Sequence, residues 1–331
     1  MALQEKKLEP GKLKTNKEVS AADEEKWLRE EINRLRKEKK ALIMAHYYQR
    51  DEIQEIADFI GDSLALARQA AKTDADMIVM CGVHFMGETA KILCPDKKVV
   101  IPDSAAGCSL ADSCDPVEFK EFVEAHPDHT VVSYVNTSAA VKALTDIVVT
   151  SGNARKIVEQ LPEDEKIIFG PDHNLGEYIN SVTGRSMLLW NGACHVHDRF
   201  SIQKIIDMKR EHPGAKILVH PECRRPLQLI ADKVGSTAAL LDFAQNDDAK
   251  EYIVVTESGI LFEMRKKCPQ KTFLAAPAED SECQCNECDF MKLNTLRKVY
   301  ECLRDEAPEI IVDEEIAAKA LRPIERMLEM S

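Results

Sequence analysis

The sequence predicts an α/β protein of three pseudo-threefold-related α/β/α domains, each with a short parallel sheet, arranged around one central site. Three observations carry that expectation. Short β-rich apolar runs recur at a near-constant interval, polar residues repeat at the same offsets within them, and a cysteine follows the third strand of each unit.

Along the chain, residues 1–22 are polar and lysine-rich and read as a flexible tail. Residues 23–40, DEEKWLREEINRLRKEKK, carry acids early, bases late and Trp27, Leu28, Ile32 and Leu35 on one stripe, as an amphipathic helix requires. The runs ALIMAH at 41–46, TVVSYV at 130–135 and KILVH at 216–220 are first strands. Shifts of 88 and then 86 residues carry His46 onto Tyr134 and His220, and Tyr48 onto Asn136 and Glu222. The same shifts carry Ser63 onto Ser151 and Thr237, each close to a glycine where a helical pattern opens, so the three hydroxyls are expected to cap helix N-termini. MIVMCG, KIIFG and YIVVT repeat as second strands, with Gly82 falling on Gly170 and Thr256, and KVVIP, SMLLW and KTFLA repeat as third strands. Each unit of about 87 residues is therefore strand, helix, strand, helix, strand. Apolar runs of this length between helices suit parallel sheets covered on both faces. The resulting division places the first repeat at 23–126, completed by C-terminal helices at 305–331, the second at 127–212 and the third at 213–304.

At 331 residues the chain can bury a substantial core without disulfide stapling. No basic stretch leading into an apolar run opens it, so export is not expected, and its eleven cysteines point to cytoplasmic thiol, metal or redox chemistry. Cys81, Cys94, Cys223, Cys268 and Cys302 stand in or beside apolar runs and are expected in the core. No run approaches the roughly 20 apolar residues that cross a bilayer. A net charge of -13 argues against a nucleic-acid partner. A small-molecule substrate is the expectation.

Cys108 in DSAAGCSLAD, Cys194 in WNGACHVH and Cys288 in CNECDFM follow the three third strands. Open parallel sheets place ligands beyond the carboxyl ends of their strands, so three domains facing one axis bring these cysteines together. Three converging thiolates suit a 4Fe-4S cluster. With no fourth cysteine, one iron keeps an open position, able to act as a Lewis acid on a substrate oxygen. The alternative is a local zinc or cluster site in CQCNEC at 283–288, where no second ligand pair lies nearby. Cys285 and Cys288 also form a C-x-x-C pair, and a regulatory disulfide there would remove one cluster ligand. Around the cysteines, the strand ends and helix starts supply His46, Tyr48, Ser63, Tyr134, Asn136, Ser151, His197, His220, Glu222 and Thr237, a ring of acids, bases and hydrogen-bond donors. Neither a G-x-G-x-x-G nor a Walker loop is present, so the usual nucleotide cradles are absent. The chemistry suggested is condensation or dehydration of a small polyanion.

The ordered motifs AHYYQ, GDSLALA, CGVHFMGETAKIL, GCSLAD, YVNTSAAVKA, GPDHNLG, GACHVH, HPEC, GST and TESG, with a cysteine followed by DFMKLNTL, resemble those of the quinolinate synthase family from about residue 40 to 330. The resemblance implies three α/β/α domains in a triangle around a 4Fe-4S cluster, and condensation of iminoaspartate with dihydroxyacetone phosphate to quinolinate in NAD biosynthesis. It also implies a functional coupling to an L-aspartate oxidase or dehydrogenase. Carried over by motif, the cluster ligands fall on Cys108, Cys194 and Cys288. Substrate binding falls on His46, Ser63, Tyr134, Asn136, Ser151, His220, Glu222 and Thr237, and the proton transfers fall on Tyr48, His46, Glu222, His197 and Tyr134. Some members have a C-x-x-C-x-x-C before the third ligand; here Glu282 stands where its first cysteine would, so this chain departs from the pattern on which those members' redox switch rests, and a redox role for Cys283 or Cys285 stays open. Two other classes use the same cluster logic: a hydro-lyase with an open iron, and a cluster-based redox sensor acting on a partner.

Overall fold

A computed structural model of the chain describes residues 21–279 and 286–331, and these form three four-stranded sheets. The first holds β1 (Ala41–His46), β2 (Phe59–Gly61), β3 (Met77–Cys81) and β4 (Lys98–Val100). The second holds β5 (Thr130–Tyr134), β6 (Ile147–Val149), β7 (Ile167–Gly170) and β8 (Leu188–Leu189). The third holds β9 (Lys216–Val219), β10 (Lys233–Val234), β11 (Glu251–Val255) and β12 (Thr272–Ala275). The spatial orders are β2-β1-β3-β4, β6-β5-β7-β8 and β10-β9-β11-β12, the same order three times, and every neighbouring pair is parallel. The triplication expected from the spacing is therefore present in the topology.

Each unit has one strand more than the sequence pattern suggests. The additions, β2, β6 and β10, are edge strands of two or three residues, too short to register as an apolar run. An aspartate fastens each of them. Asp58, Asp146 and Asp232 donate their own N–H to the carbonyls of Ile43, Val131 and Ile217, and their carboxylates accept the N–H of the same residues at 2.8–2.9 Å. These aspartates obey the same shifts of 88 and 86 residues, so the missed strands left a polar signature in the sequence.

Strand alternation divides the core into shared and private layers. Met44, Met80, Val132, Phe169, Leu218 and Val254 point into one cluster that runs across all three units. Their neighbours point the other way: Ile43, Ala45 and Val79 pack under Leu28, Ile32 and Leu35 of the helix Ala21–Glu38, Val131 and Ile168 under Phe119, and Ile217 and Ile253 under Phe200 and Ile205. Both faces of each sheet are covered, as the near-continuous apolar runs require. Trp27, expected on the buried stripe of the first helix, is 45% exposed and lies edge-on to Tyr300. It sits at the rim of the stripe, where the helix Leu296–Asp305 covers only part of the ring. The last helix, Glu314–Met330, packs on β6 and on the short helix Ala139–Lys142. Cys81, Cys94, Cys223, Cys268 and Cys302 are buried, as their apolar surroundings predict.

Replacing Asp232 with alanine leaves the Ile217 N–H without its acceptor. The expected cost is about 1 kcal/mol, read as a lower urea midpoint with an unchanged slope; an unaltered midpoint would show that the aspartate does not hold the edge.

Candidate active site

The carboxyl ends of the three sheets open on one cavity. His46 ends β1, Tyr134 ends β5 and His220 follows β9, so three equivalent strand ends each deliver a polar ring to the same space. All ten polar residues singled out from the sequence line this cavity, and so do Cys108, Cys194 and Cys288. Residues as far apart as Cys288 and His46, 242 positions, thus line the same cavity. Cys283 and Cys285, the local-site alternative and the C-x-x-C disulfide lie outside the described residues.

Each cysteine occupies the residue before a single-turn helix: Ser109–Asp112, His195–Asp198 and Asp289–Lys292. The free amides of these turns face the sulfurs and favour their thiolates. Burial acts in the opposite sense and dominates, pushing the thiols up to about 12 at Cys108 and about 11 at Cys288, and raising Cys194 well above its ordinary value. Three half-buried thiols held at the mouths of helix turns become thiolates readily only when a cation takes their charge. Two buried carboxyls position two of the cysteine backbones. Asp172 accepts the N–H of Cys194 at 3.2 Å, and Glu257 accepts the N–H of Cys288 at 3.2 Å while Lys292 sits 3.0 Å from it. Lys292 also donates to the Tyr48 carbonyl at 2.8 Å, which ties the third cysteine's turn to the first unit.

The histidine tautomers follow from the backbone. Nδ1 of His46 accepts the N–H of Tyr48 at 3.2 Å, and Nδ1 of His220 accepts that of Glu222 at 3.3 Å. A nitrogen that accepts carries no proton, so both rings are neutral with the proton on Nε2. Burial keeps them so, pushing each down to about 3. His220 Nε2 then donates to Ser151 Oγ at 3.2 Å. Glu222 is the anion of the ring. Its burial opposes ionisation, but His197 at 3.0 Å and the Tyr134 hydroxyl at 2.5 Å hold it at about 2. His197 Nδ1 also lies 3.3 Å from Cys194 Sγ. With Nδ1–H directed at Glu222, His197 Nε2 is free to accept from Thr256 Oγ1 at 2.9 Å, which in turn lies 2.7 Å from Tyr48 Oη. Tyr48 therefore heads a relay through Thr256 to His197 and Glu222. Thr237 is 2.7 Å from the same phenol. Asn136 Oδ1 is buried with no hydrogen-bond partner among the described residues, an acceptor left for a bound molecule.

The three hydroxyls are not caps. Asp62 and Ser236 cap the helices Ser63–Lys72 and Thr237–Asn246, accepting the N–H of Ala65 and Ala239, and the second-unit helix Ala154–Gln160 follows Asn153. Because each cap lies at another position, Ser63, Ser151 and Thr237 remain available to the cavity. Sequence reasoning missed Thr256, Asp172 and Glu257. Thr256 was visible as the one hydroxyl where the other two units have Gly82 and Gly170; the carboxyls had no repeat signal and are defined only by what they touch.

The arrangement can bind a polyanion, move protons and hold a metal. Cys194, His197 and Glu222 bring one ligand atom each within 4.8 Å of one another, a set that could grip a cation, and the other two thiols face the same space. Comparison with known proteins agrees with this chemistry. Residues 30–329 match the family model described as Quinolinate synthetase A protein. The chain is 56% identical over 300 residues to a quinolinate synthase of Synechococcus sp., covering 91% of this chain and 94% of that protein. It is 55% identical over 302 residues to a quinolinate synthase of Chloroherpeton thalassium, with the same coverage of both chains.

Two outcomes follow from the geometry. A Cβ at Gly259 would stand 2.8 Å from the Tyr48 Cα and carbonyl carbon, so Gly259→Ala must displace the Tyr48 backbone; activity is expected to fall about 10²-fold, and an unaffected rate would show that Tyr48 is not held there. The second concerns pH. His46 and His220 stay neutral in the fold down to about 3 but take up protons near 6.5 when unfolded. Their contribution to stability is therefore present above about pH 6.5 and is lost as pH falls toward 3, at up to about 1.4 kcal/mol per unit for each ring. The metal-free protein should show a lower urea midpoint at pH 5 than at pH 7, and equal midpoints would contradict the neutral assignment.

Proposed function

We propose that this chain, which belongs to the quinolinate synthetase A family, condenses iminoaspartate with dihydroxyacetone phosphate to give quinolinate, phosphate and water for NAD biosynthesis. The observation that carries this reading is the arrival of three cysteines from three separate sheets in one polar cavity. The donor set fits a 4Fe-4S cluster: three soft sulfur ligands, backbone amides facing each sulfur, and no fourth cysteine lining the cavity among the described residues. Cys108, Cys194 and Cys288 would hold it, and when bound it supplies an iron with an open position as a Lewis acid.

The protein's own groups do the rest. Ser63 and Thr237 stand in the first turns of ten-residue helices, where amides and the positive dipole end receive carboxylate or phosphate oxygens, and Ser151 lies on the loop before the equivalent helix. His46 and His220 present Nε2–H donors that do not ionise near neutral pH, so they orient oxygen atoms without adding charge. Asn136 offers an acceptor with no competing partner. Tyr48 is the group placed to give and take a proton. Burial and the Glu222 charge raise its phenol well above 10, so Tyr48 can lose a proton only as Thr256 passes one to His197, whose imidazolium Glu222 then stabilises. The burial of His46, Tyr48, His197 and Glu222 keeps water from competing for these transfers.

Iminoaspartate must come from oxidation of aspartate, and we place the protein in functional coupling with an L-aspartate oxidase or dehydrogenase in the cytoplasm. No helix among the described residues is long and apolar enough to cross a membrane.

Anaerobically prepared holoprotein should form quinolinate from the two substrates, and failure to do so would remove the reading. Cys194→Ala should lose the cluster's iron and acid-labile sulfide; a full complement in that variant would place the metal elsewhere. Thr256→Val interrupts the relay and is expected to lower kcat about 10²-fold or more with KM little changed. A loss confined to KM would instead make Thr256 a binding group.

A further inference from the structure

Gln54, Lys142 and Gln228 are related by the same 88 and 86 residues that relate the strands. Each is the fourth residue of the short helix after its unit's first strand: Asp51–Ile56, Ala139–Lys142 and Arg225–Leu229. Their exposures are 1%, 0% and 7%. They also do the same structural work. Gln54 Nε2 donates to the carbonyls of Tyr47 and Gln49 at 3.1 and 2.9 Å, and Gln228 Nε2 to those of Pro221 and Cys223 at 2.9 and 2.7 Å. Lys142 Nζ donates to Thr137, the equivalent of Gln49 and Cys223. Gln54 further reaches Gly259 of the third unit at 2.9 Å. Lys142 instead lies over the ring of Phe85 in the first unit, 5.4 Å from its centroid.

A neutral amide therefore closes these strand-end loops in two units of three. The second unit uses a cation at the same place, fully buried, where removing an ammonium from water costs several kcal/mol unless a negative group answers it. Burial lowers its pKa to about 8, and the groups that oppose this are Glu88 and Cys108. Glu88 is engaged at the start of Lys142's own helix, where it accepts the Ala139 N–H at 3.0 Å. Phe85, under the ammonium, lines the cavity together with Cys108.

We propose that Lys142 is the buried counter-charge of the three-thiolate site, set behind the Cys108 side of the cavity at a position where the fold itself needs only an amide. This rests on the cluster reading given above. A fixed cation there offsets part of the negative charge that three thiolates and a polyanionic substrate bring together, and it stabilises the reduced cluster relative to the oxidised one.

Lys142→Gln tests this with the side chain the other two units already use. The variant should fold with an unchanged far-UV spectrum and load the cluster. Its midpoint potential should fall by at least about 59 mV, a tenfold weaker preference for the reduced form in a one-electron couple. A loaded Lys142→Gln protein with the wild-type potential overturns the proposal. If Lys142→Gln folds but takes up no cluster, Lys142→Arg decides: uptake by the arginine variant supports a charge requirement, and failure of both shows that the site needs the lysine's shape and overturns it. A wild-type protein that takes up no cluster overturns the functional reading beneath the proposal, and is told apart by that control.

Discussion

Desolvation is the constraint on which this structure depends. Three parallel sheets point their carboxyl ends at one cavity, and every polar group delivered there loses water and must be met by another protein group. The backbone meets the first demand: the N–H two residues beyond each strand-end histidine bonds Nδ1, which settles both tautomers before any substrate arrives. Glu222 is met by His197 and Tyr134, and Tyr48 by Thr237 and Thr256. The thiols are the exception. Burial raises all three, and nothing among the described residues supplies a charge in the cavity strong enough to ionise them. A site that settles its histidines, Glu222 and Tyr48 in this way, and leaves its sulfurs protonated and Asn136 Oδ1 without a partner among the described residues, has donors free for a metal and a polar ligand.

The threefold repeat explains both the site's regularity and its function. Equivalent positions perform equivalent structural tasks: the aspartates at 58, 146 and 232 hold edge strands, and the residues at 54, 142 and 228 close the loops above the cavity. Chemistry appears where equivalence is broken. His, Tyr and His end the first strands, Tyr, Asn and Glu follow two residues later, and a threonine replaces glycine once, at 256. A symmetric ring could hold a symmetric ion. The unlike groups give it a direction, from the Tyr48 phenol to the Glu222 carboxylate, along which a proton can move.

Much of this was legible without coordinates because the repeat is written in residue identity as well as in apolar pattern. A parallel strand buried on both faces must be apolar throughout, so its polar ends stand out, and residues at fixed offsets from three such ends are constrained to equivalent places in three units. That reasoning located three of the four strands of each unit, the three cysteines and the ten polar residues around them. It misjudged the helix caps by a residue or more, since Asp62 beside Ser63 and Ser236 beside Thr237 are equally good capping residues and only the backbone angles choose between them. It passed over the edge strands because two or three residues carry no period.

The sequence by itself determined the architecture, the identity of the three cysteines and the family, because hydrophobic period, repeat spacing and ordered motifs are local or one-dimensional properties. Only the tertiary structure decided which hydrogen bonds join the ring. Thr256 became the link between Tyr48 and His197, Asp172 and Glu257 became the supports of two cysteine turns, and Lys142 became a buried cation over the Phe85 ring. The reason is physical: proton position and charge balance depend on distances and burial between residues far apart in the chain, 208 positions in the case of Tyr48 and Thr256, and no interval along the chain encodes a distance across a cavity.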